Sequence, residues 1–258
     1  MAIGDSFTEG MNDLLPDGAL RGWADRLAQR LAPSAPPQTP LRYANLAVRG
    51  KVLDQIAAEQ IPQVLEHRPD LVGFSGGGND LMRPGTDPDE LAGRFEAAVD
   101  AMLGAGAQVL VFTGADSRGV PVLQRTRGKV AVFNEHLRVL AGRRAGQVIV
   151  VDLWALAALR DARAWSADRI HLSPEGHERV ALLAARTLGL PVERDADEPW
   201  PAQAAPTRSQ RRRENVAWAR EYLGPWVGRR VRRRSSGDGM TGKRPDLRAW
   251  EPADEPTA

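Results

Sequence analysis

The sequence predicts an α/β protein, a parallel sheet of five strands covered by helices, over residues 1–190. Two observations carry this. Between Met1 and Leu190 short apolar or β-branched runs alternate with longer segments of helical period, the pattern of parallel strands joined by crossover helices. The longest purely aliphatic runs, such as Val148 to Val151, are strand-sized and well short of the roughly 18 to 20 apolar residues a membrane-spanning helix needs. Composition agrees: of 258 residues, 42% are hydrophobic and 26% charged, as in ordinary globular chains.

The expected strands are Ala2 to Gly4, Leu41 to Leu46, Leu71 to Ser75, Gln108 to Thr113 and Val148 to Asp152. The first is so short that it points to a start upstream of Met1. Leu20, Trp23, Leu27 and Leu31 share one helix face, as do Leu91, Phe95, Val99 and Met102, and Val130, Phe133, Leu137 and Leu140. Asp87-Pro88-Asp89-Glu90 supplies an N-cap, a first-turn proline and a glutamate that reaches back, and Ser173-Pro174-Glu175 opens the last helix in the same way. Val52 to Glu66 has helical period, but Pro62 should kink or split it.

After Leu190 the character changes. Residues 191–207, with Pro191, Pro199, Pro201 and Pro206 among acids, read as a linker, and residues 208–258 as a basic, partly disordered C-terminal tail. Residues 201–258 carry 13 Lys+Arg against 7 Asp+Glu, net +6, which leaves net −4 for residues 1–200. Arg208 to Arg234 holds ten arginines with Trp218, Tyr222 and Trp226 interleaved. Val216, Leu223, Trp226 and Val227 roughly share a helical face that Gly224-Pro225 interrupts. Such a face suits docking on the rest of the chain or lying on an anionic membrane surface. Its arginines and aromatics also suit nucleic acid, the least favoured of the three; Ser235 to Ala258 is expected to lack regular structure. The start, Met1-Ala2-Ile3-Gly4, shows neither a basic leader nor an apolar signal stretch, so a cytoplasmic location is expected.

The absence of cysteine removes thiolate chemistry, and four histidines leave little scope for a metal cage. Ser6, in Gly4-Asp5-Ser6-Phe7-Thr8-Glu9-Gly10, directly follows the first strand and is either a turn serine or a nucleophile. Ser75 competes with it, since Gly73-Phe74-Ser75-Gly76-Gly77 matches a nucleophile elbow literally. An elbow serine opens a helix, however, and the glycines, Asn79, Asp80 and Pro84 that follow do not read as one. Among the histidines, His67 and His136 sit in polar helices and His177 in the first turn of the last helix, where a structural role is expected. Asp168 and His171, three apart on one turn, can meet directly, so the carboxylate can fix the imidazole tautomer. If the strand order is 2-1-3-4-5, the residues after strands 2, 1 and 3 converge at the carboxyl edge. These are Gly50, Ser6 and Asn79; taken singly, Gly50 reads as a turn glycine and Asn79 as a loop cap. Together, the Gly50 N–H, the Asn79 amide and the Ser6 N–H would make three donors for one oxyanion.

Gly-Asp-Ser near the start, a glycine after strand 2, Gly-x-Asn-Asp after strand 3 and Asp-x-x-His before the last helix, in that order, resemble the SGNH (GDSL-type) hydrolases over about residues 1–190. The resemblance implies a three-layer α/β/α sandwich with a flavodoxin-like sheet of order 2-1-3-4-5. It implies Ser6 as nucleophile and oxyanion donor, Gly50 and Asn79 as the other donors, and His171 with Asp168 as base and orienter. The expected function is a serine hydrolase that cleaves carboxylic esters of small or short acyl groups through an acyl-enzyme, with no metal or organic cofactor. An acyltransferase, or a binding module in which Gly76 to Asn79 cradles an anion, is the alternative. The first block departs from the eponymous motif by carrying Phe7 where leucine stands. Gly114 to Leu123 and Trp154 to Trp165 are expected to shape the pocket, and Arg118, Arg125 and Arg127 are candidates for meeting an anionic substrate. Oligomeric state is not set by the sequence.

Overall fold

The structure is a computed structural model that describes residues 1–118, 123–203, 207–223 and 236–251. Five parallel strands, β1 (Ala2–Gly4), β2 (Arg42–Asn45), β3 (Leu71–Ser75), β4 (Gln108–Phe112) and β5 (Val148–Val151), lie in the order expected. A sixth, β6 (Arg244–Ala249), adds antiparallel to the outer edge of β2. For Arg244–Ala249 this corrects the expectation of an end without regular structure; Ser235 and residues 252–258 lie outside the described residues. An uncovered edge offers a row of unpaired N–H and C=O groups, and Tyr43 pairs with Arg248 and Asn45 with Arg244 across a register shift. Pro245 is tolerated because an edge strand can spare an N–H. Leu247 packs against the core on one side of the sheet, and Trp250 against the core on the other.

The helices are α1 (Ser6–Glu9), α2 (Gly22–Leu31), α3 (Leu53–Glu59), α4 (Ile61–His67), α5 (Gly78–Leu81), α6 (Pro88–Gly104), α7 (Arg127–Arg143), α8 (Pro174–Thr187) and α9 (Arg208–Trp218). Alternate strand residues divide between two cores, which makes the sandwich three-layered. Val72, Phe74, Val109 and Val111 face α3, α4, α6 and α7, while Leu110, Phe112 and Val151 face α2 and α8. Phe74 stacks on Phe95 at 4.4 Å. The N-cap side chains are as expected, Asp87 accepting the Asp89 N–H at 2.8 Å and Ser173 the Gly176 N–H at 3.1 Å. The glutamate expected to reach back does so in neither helix, and Glu175 instead accepts from Arg179 and Arg194.

Pro62 does split its segment, into α3 and α4 with Gln60 at the break. After Ser75 the chain forms one helical turn, α5, where none was expected; left-handed Gly77 sets its start, and it ends at Leu81. The described part of the tail helix docks on the rest of the chain, where the Trp218 indole Nε1–H donates to the Asp168 carbonyl at 3.0 Å. Pro206, and the Gly224-Pro225, Trp226 and Val227 part of the expected apolar face, lie outside the described residues. Among the described residues no helix is long and apolar enough to cross a membrane.

Candidate active site

Ser6 owes its place to the end of β1. Gly4 has φ +148°, and a Cβ there would lie 2.3 Å from the Ser75 carbonyl oxygen, so only glycine lets β1 run this close to β3 before the turn. The buried Gln60 amide grips Gly4 at both groups, accepting its N–H at 2.8 Å and donating to its carbonyl at 2.9 Å. Asp5 caps α1 by accepting the Phe7 N–H at 3.1 Å. Phe7 then wedges beside Trp23 (5.6 Å) and Phe112 (5.7 Å). The three-residue strand is therefore held by side-chain hydrogen bonds and aromatic packing, and Ser6 stands as the first helical residue.

His171 reaches Ser6 from the other end of the sequence. Its Nε2 lies 3.0 Å from Ser6 Oγ and its Nδ1 2.7 Å from Asp168 Oδ2. Asp168 Oδ1 accepts the N–H groups of Ile170 and His171, each at 3.0 Å, and the Ser166 hydroxyl at 2.9 Å. Arg169 takes the left-handed conformation that closes this tight turn. Burial opposes ionisation of Asp168, but the His171 ring and the backbone donors outweigh it and hold the carboxyl well below the usual carboxylate range. A charged Asp168 needs a proton on Nδ1, which leaves the Nε2 lone pair facing the Ser6 hydroxyl.

Ser6, Gly50, Asn79 and His171 line one cavity of about 770 Å³, within the usual size of small-molecule sites. The N–H groups of Ser6 and Gly50 have no acceptor among the described residues. Asn79 differs from expectation in its resting state: its amide donates to Asp5 Oδ2 at 3.1 Å and to the Lys51 carbonyl at 3.0 Å. To serve an oxyanion it must release one of these. Burial pushes the Asp5 carboxyl up to about 6, so near neutral pH the carboxylate beside Asn79 is costly to bury and needs its donors. Asp80 fixes the loop by accepting the Leu53 N–H at 2.9 Å.

Other residues resolve against a direct part. Ser75 ends β3 on the cavity wall, but it is Ser6 that holds the histidine. Arg127 is bonded to Asp116 at 2.6 Å, with Arg118 and Arg160 near the same carboxylate. As described, none of Arg118, Arg125 and Arg127 lines the cavity. The expected pocket walls contribute Gly114, Ala115, Ser117 and Leu123 from one loop and Leu159 and Trp165 from the other; residues 119–122 of the first lie outside the described residues. Sequence reasoning missed Asn12, whose amide donates to Asp168 Oδ2 at 2.9 Å and to Ser166 Oγ at 2.7 Å. It also missed Trp218 on the Asp168 carbonyl. The only sequence signal for Asn12 is its place in the turn after the Ser6 block.

His177 is structural, as expected. Its Nδ1 accepts the Trp23 N–H at 3.3 Å and its Nε2–H donates to the Met11 carbonyl at 3.1 Å. Burial holds this ring down at about 4, against an ordinary value of 6.5. The unfolded chain therefore takes up a proton below about pH 6.5 that the folded chain refuses until about pH 4, and stability is lost as pH falls through that window. His177→Gln offers an acceptor and a donor without titrating. The stability of the parent relative to this variant is expected to drop by about 3 kcal/mol between pH 7 and pH 4; urea unfolding at the two pH values checks it, and a pH-independent difference would contradict a buried neutral ring.

The arrangement of a serine, a histidine and an aspartate in one hydrogen-bonded row at the carboxyl edge of a doubly covered sheet is that of an esterase-like hydrolase. The chain belongs to the GDSL-like Lipase/Acylhydrolase family, whose model matches residues 2–179. Solved structures agree in fold. A variant of Axe2, an acetyl-xylooligosaccharide esterase from Geobacillus stearothermophilus, superposes with a TM-score of 0.60 at 17% identity, covering 75% of this chain and 95% of that one. TesA gives 0.58 at 23% identity, covering 72% and 96%. LAE5, an alpha/beta hydrolase from the metagenome of Lake Arreo, Spain, gives 0.59 at 22%, covering 73% and 93%. No curated protein matches the chain. The enzyme is thus an ester hydrolase of the SGNH type.

Proposed function

We propose that the enzyme cleaves carboxylic esters of short acyl groups through an acyl-enzyme on Ser6. His171 Nε2 takes the Ser6 proton as Oγ attacks the ester carbonyl, and Asp168 stabilises the imidazolium that forms. The N–H groups of Ser6 and Gly50 and the amide of Asn79 hold the oxyanion, Asn79 exchanging one neutral acceptor for a charged one, which binds a donor more strongly. His171 then protonates the leaving alcohol. Water, deprotonated by the same nitrogen, releases the acid and restores Ser6. The observation that carries this reading is the unbroken Ser6–His171–Asp168 row, with hydrogen bonds of 3.0 and 2.7 Å.

A series of p-nitrophenyl esters from acetate to decanoate, with Ser6→Ala as blank, tests both chemistry and acyl length. Acetate comes first because the Axe2 neighbours are acetyl esterases. Ser6-dependent kcat/KM is expected to peak at short chains; a peak at octanoate or beyond would move the assignment to long-chain lipids. Asn79→Ala is expected to lower kcat roughly 100-fold, at the low end for an oxyanion donor because the parent must first break a resting bond. It also strands Asp5 Oδ2, costing about 1–3 kcal/mol of stability. A kcat within about threefold of the parent would remove Asn79 from the oxyanion site.

A further inference from the structure

Residues 236–239 lie outside the span matched to the family, yet Ser236 and Asp238 line the same cavity as Ser6 and Gly50. Between them, buried Gly237 bears on the peptide that joins Arg49 to Gly50. A Cβ on Gly237 would lie 2.1 Å from the Arg49 carbonyl oxygen and 2.8 Å from Val48 Cγ1. That oxygen and the Gly50 N–H are opposite ends of one planar unit, so whatever bears on the oxygen sets the aim of the N–H. Arg49 itself is held through Glu9, which accepts the N–H of the preceding peptide at 2.9 Å and pairs with the Arg49 guanidinium at 2.7 Å.

The segment that carries Gly237 is itself anchored. The Lys243 ammonium is sunk among the Leu20 carbonyl (3.1 Å), the Arg21 carbonyl and the Asp25 carboxylate. β6 follows at once and pairs with β2, the strand that leads into the Gly50 loop. Resting on the Ser6 chemistry proposed above, we propose that Gly237 is a positioning residue for the Gly50 oxyanion donor, supplied by a C-terminal strap that the family core does not contain.

Gly237→Ala in the full chain tests this. The Gly237 φ lies outside the left-handed region, so the added methyl probes space and not backbone strain. Active sites are titrated to completion with a fluorophosphonate, and kcat for p-nitrophenyl acetate is expressed per titrated site. The expected result is a roughly 10- to 100-fold fall in kcat per site, KM within about threefold, and a parallel slowing of phosphonylation. A merely structural role would lower the titratable fraction and leave kcat per remaining site unchanged, and that result overturns the proposal. If Gly237→Ala does not fold, Lys243→Gln, which loosens the anchor without adding atoms to the strap, is expected to lower kcat per site about threefold or more; an unchanged value overturns the proposal equally. A parent chain whose turnover does not depend on Ser6 would instead show that the Ser6 reading itself has failed.

Discussion

Ser6→Ala is expected to lower kcat for p-nitrophenyl acetate by roughly 10⁶-fold, about 8 kcal/mol of transition-state stabilisation, to the residual rate that binding and the oxyanion donors alone support. The size follows from what is removed. His171 and Asp168 act only through the Ser6 hydroxyl, so deleting that oxygen disables all three. Stability should hardly move, because Ser6 is half-buried and among the described residues its hydroxyl bonds to His171 alone; the thermal midpoint should stay within about 2 °C. Ser75→Ala, at the rival serine, is the control and should leave kcat within about threefold. Steady-state kinetics on the two purified variants checks both. Loss with Ser75→Ala and retention with Ser6→Ala would exchange their roles.

Asp168→Asn should cost roughly 10⁴-fold in kcat, the next largest effect. An amide at this position presents hydrogens to His171 Nδ1 where the carboxylate presents a lone pair, so the ring turns to the tautomer with its proton on Nε2. That nitrogen then donates to Ser6 and cannot deprotonate it. Five donors converge on the Asp168 carboxylate, from Asn12, Ser166, Ile170 and both the ring and backbone of His171. An amide nitrogen in the place of one oxygen would face some of these donors, so a stability loss of about 1–3 kcal/mol accompanies the kinetic one. Kinetics at pH 7 and 9 together with urea unfolding separate the two losses; kcat within about tenfold of the parent would remove Asp168 from its orienting role.

Much of the core was legible because burial on both faces of a parallel sheet writes uninterrupted apolar runs such as Val109 to Phe112, and helices on both sides write rows such as Leu91, Phe95, Val99 and Met102. Position along the chain placed Ser6, Gly50 and Asn79 at strand ends, and the three-residue spacing brought His171 to Asp168. What escaped depends on contacts between distant parts of the chain. β6 has a proline, three charged residues and no alternating apolar pattern; it is a strand because the β2 edge is open, and nothing local marks it. The Asn79 amide looked free because its acceptors, Asp5 and the Lys51 carbonyl, stand 74 and 28 residues away. Gly237 read as part of a featureless end, and only its approach to the Arg49 carbonyl gives it meaning.

Peptide mapping by mass spectrometry after treatment with a fluorophosphonate tests the core of this account most directly, since the reagent marks an oxygen that a neighbouring base has made nucleophilic. One adduct per chain is expected, on the peptide carrying Ser6, and none on the His171→Ala variant over the same time. An adduct on Ser75, or a parent chain that hydrolyses esters while Ser6 stays unlabelled, would contradict it.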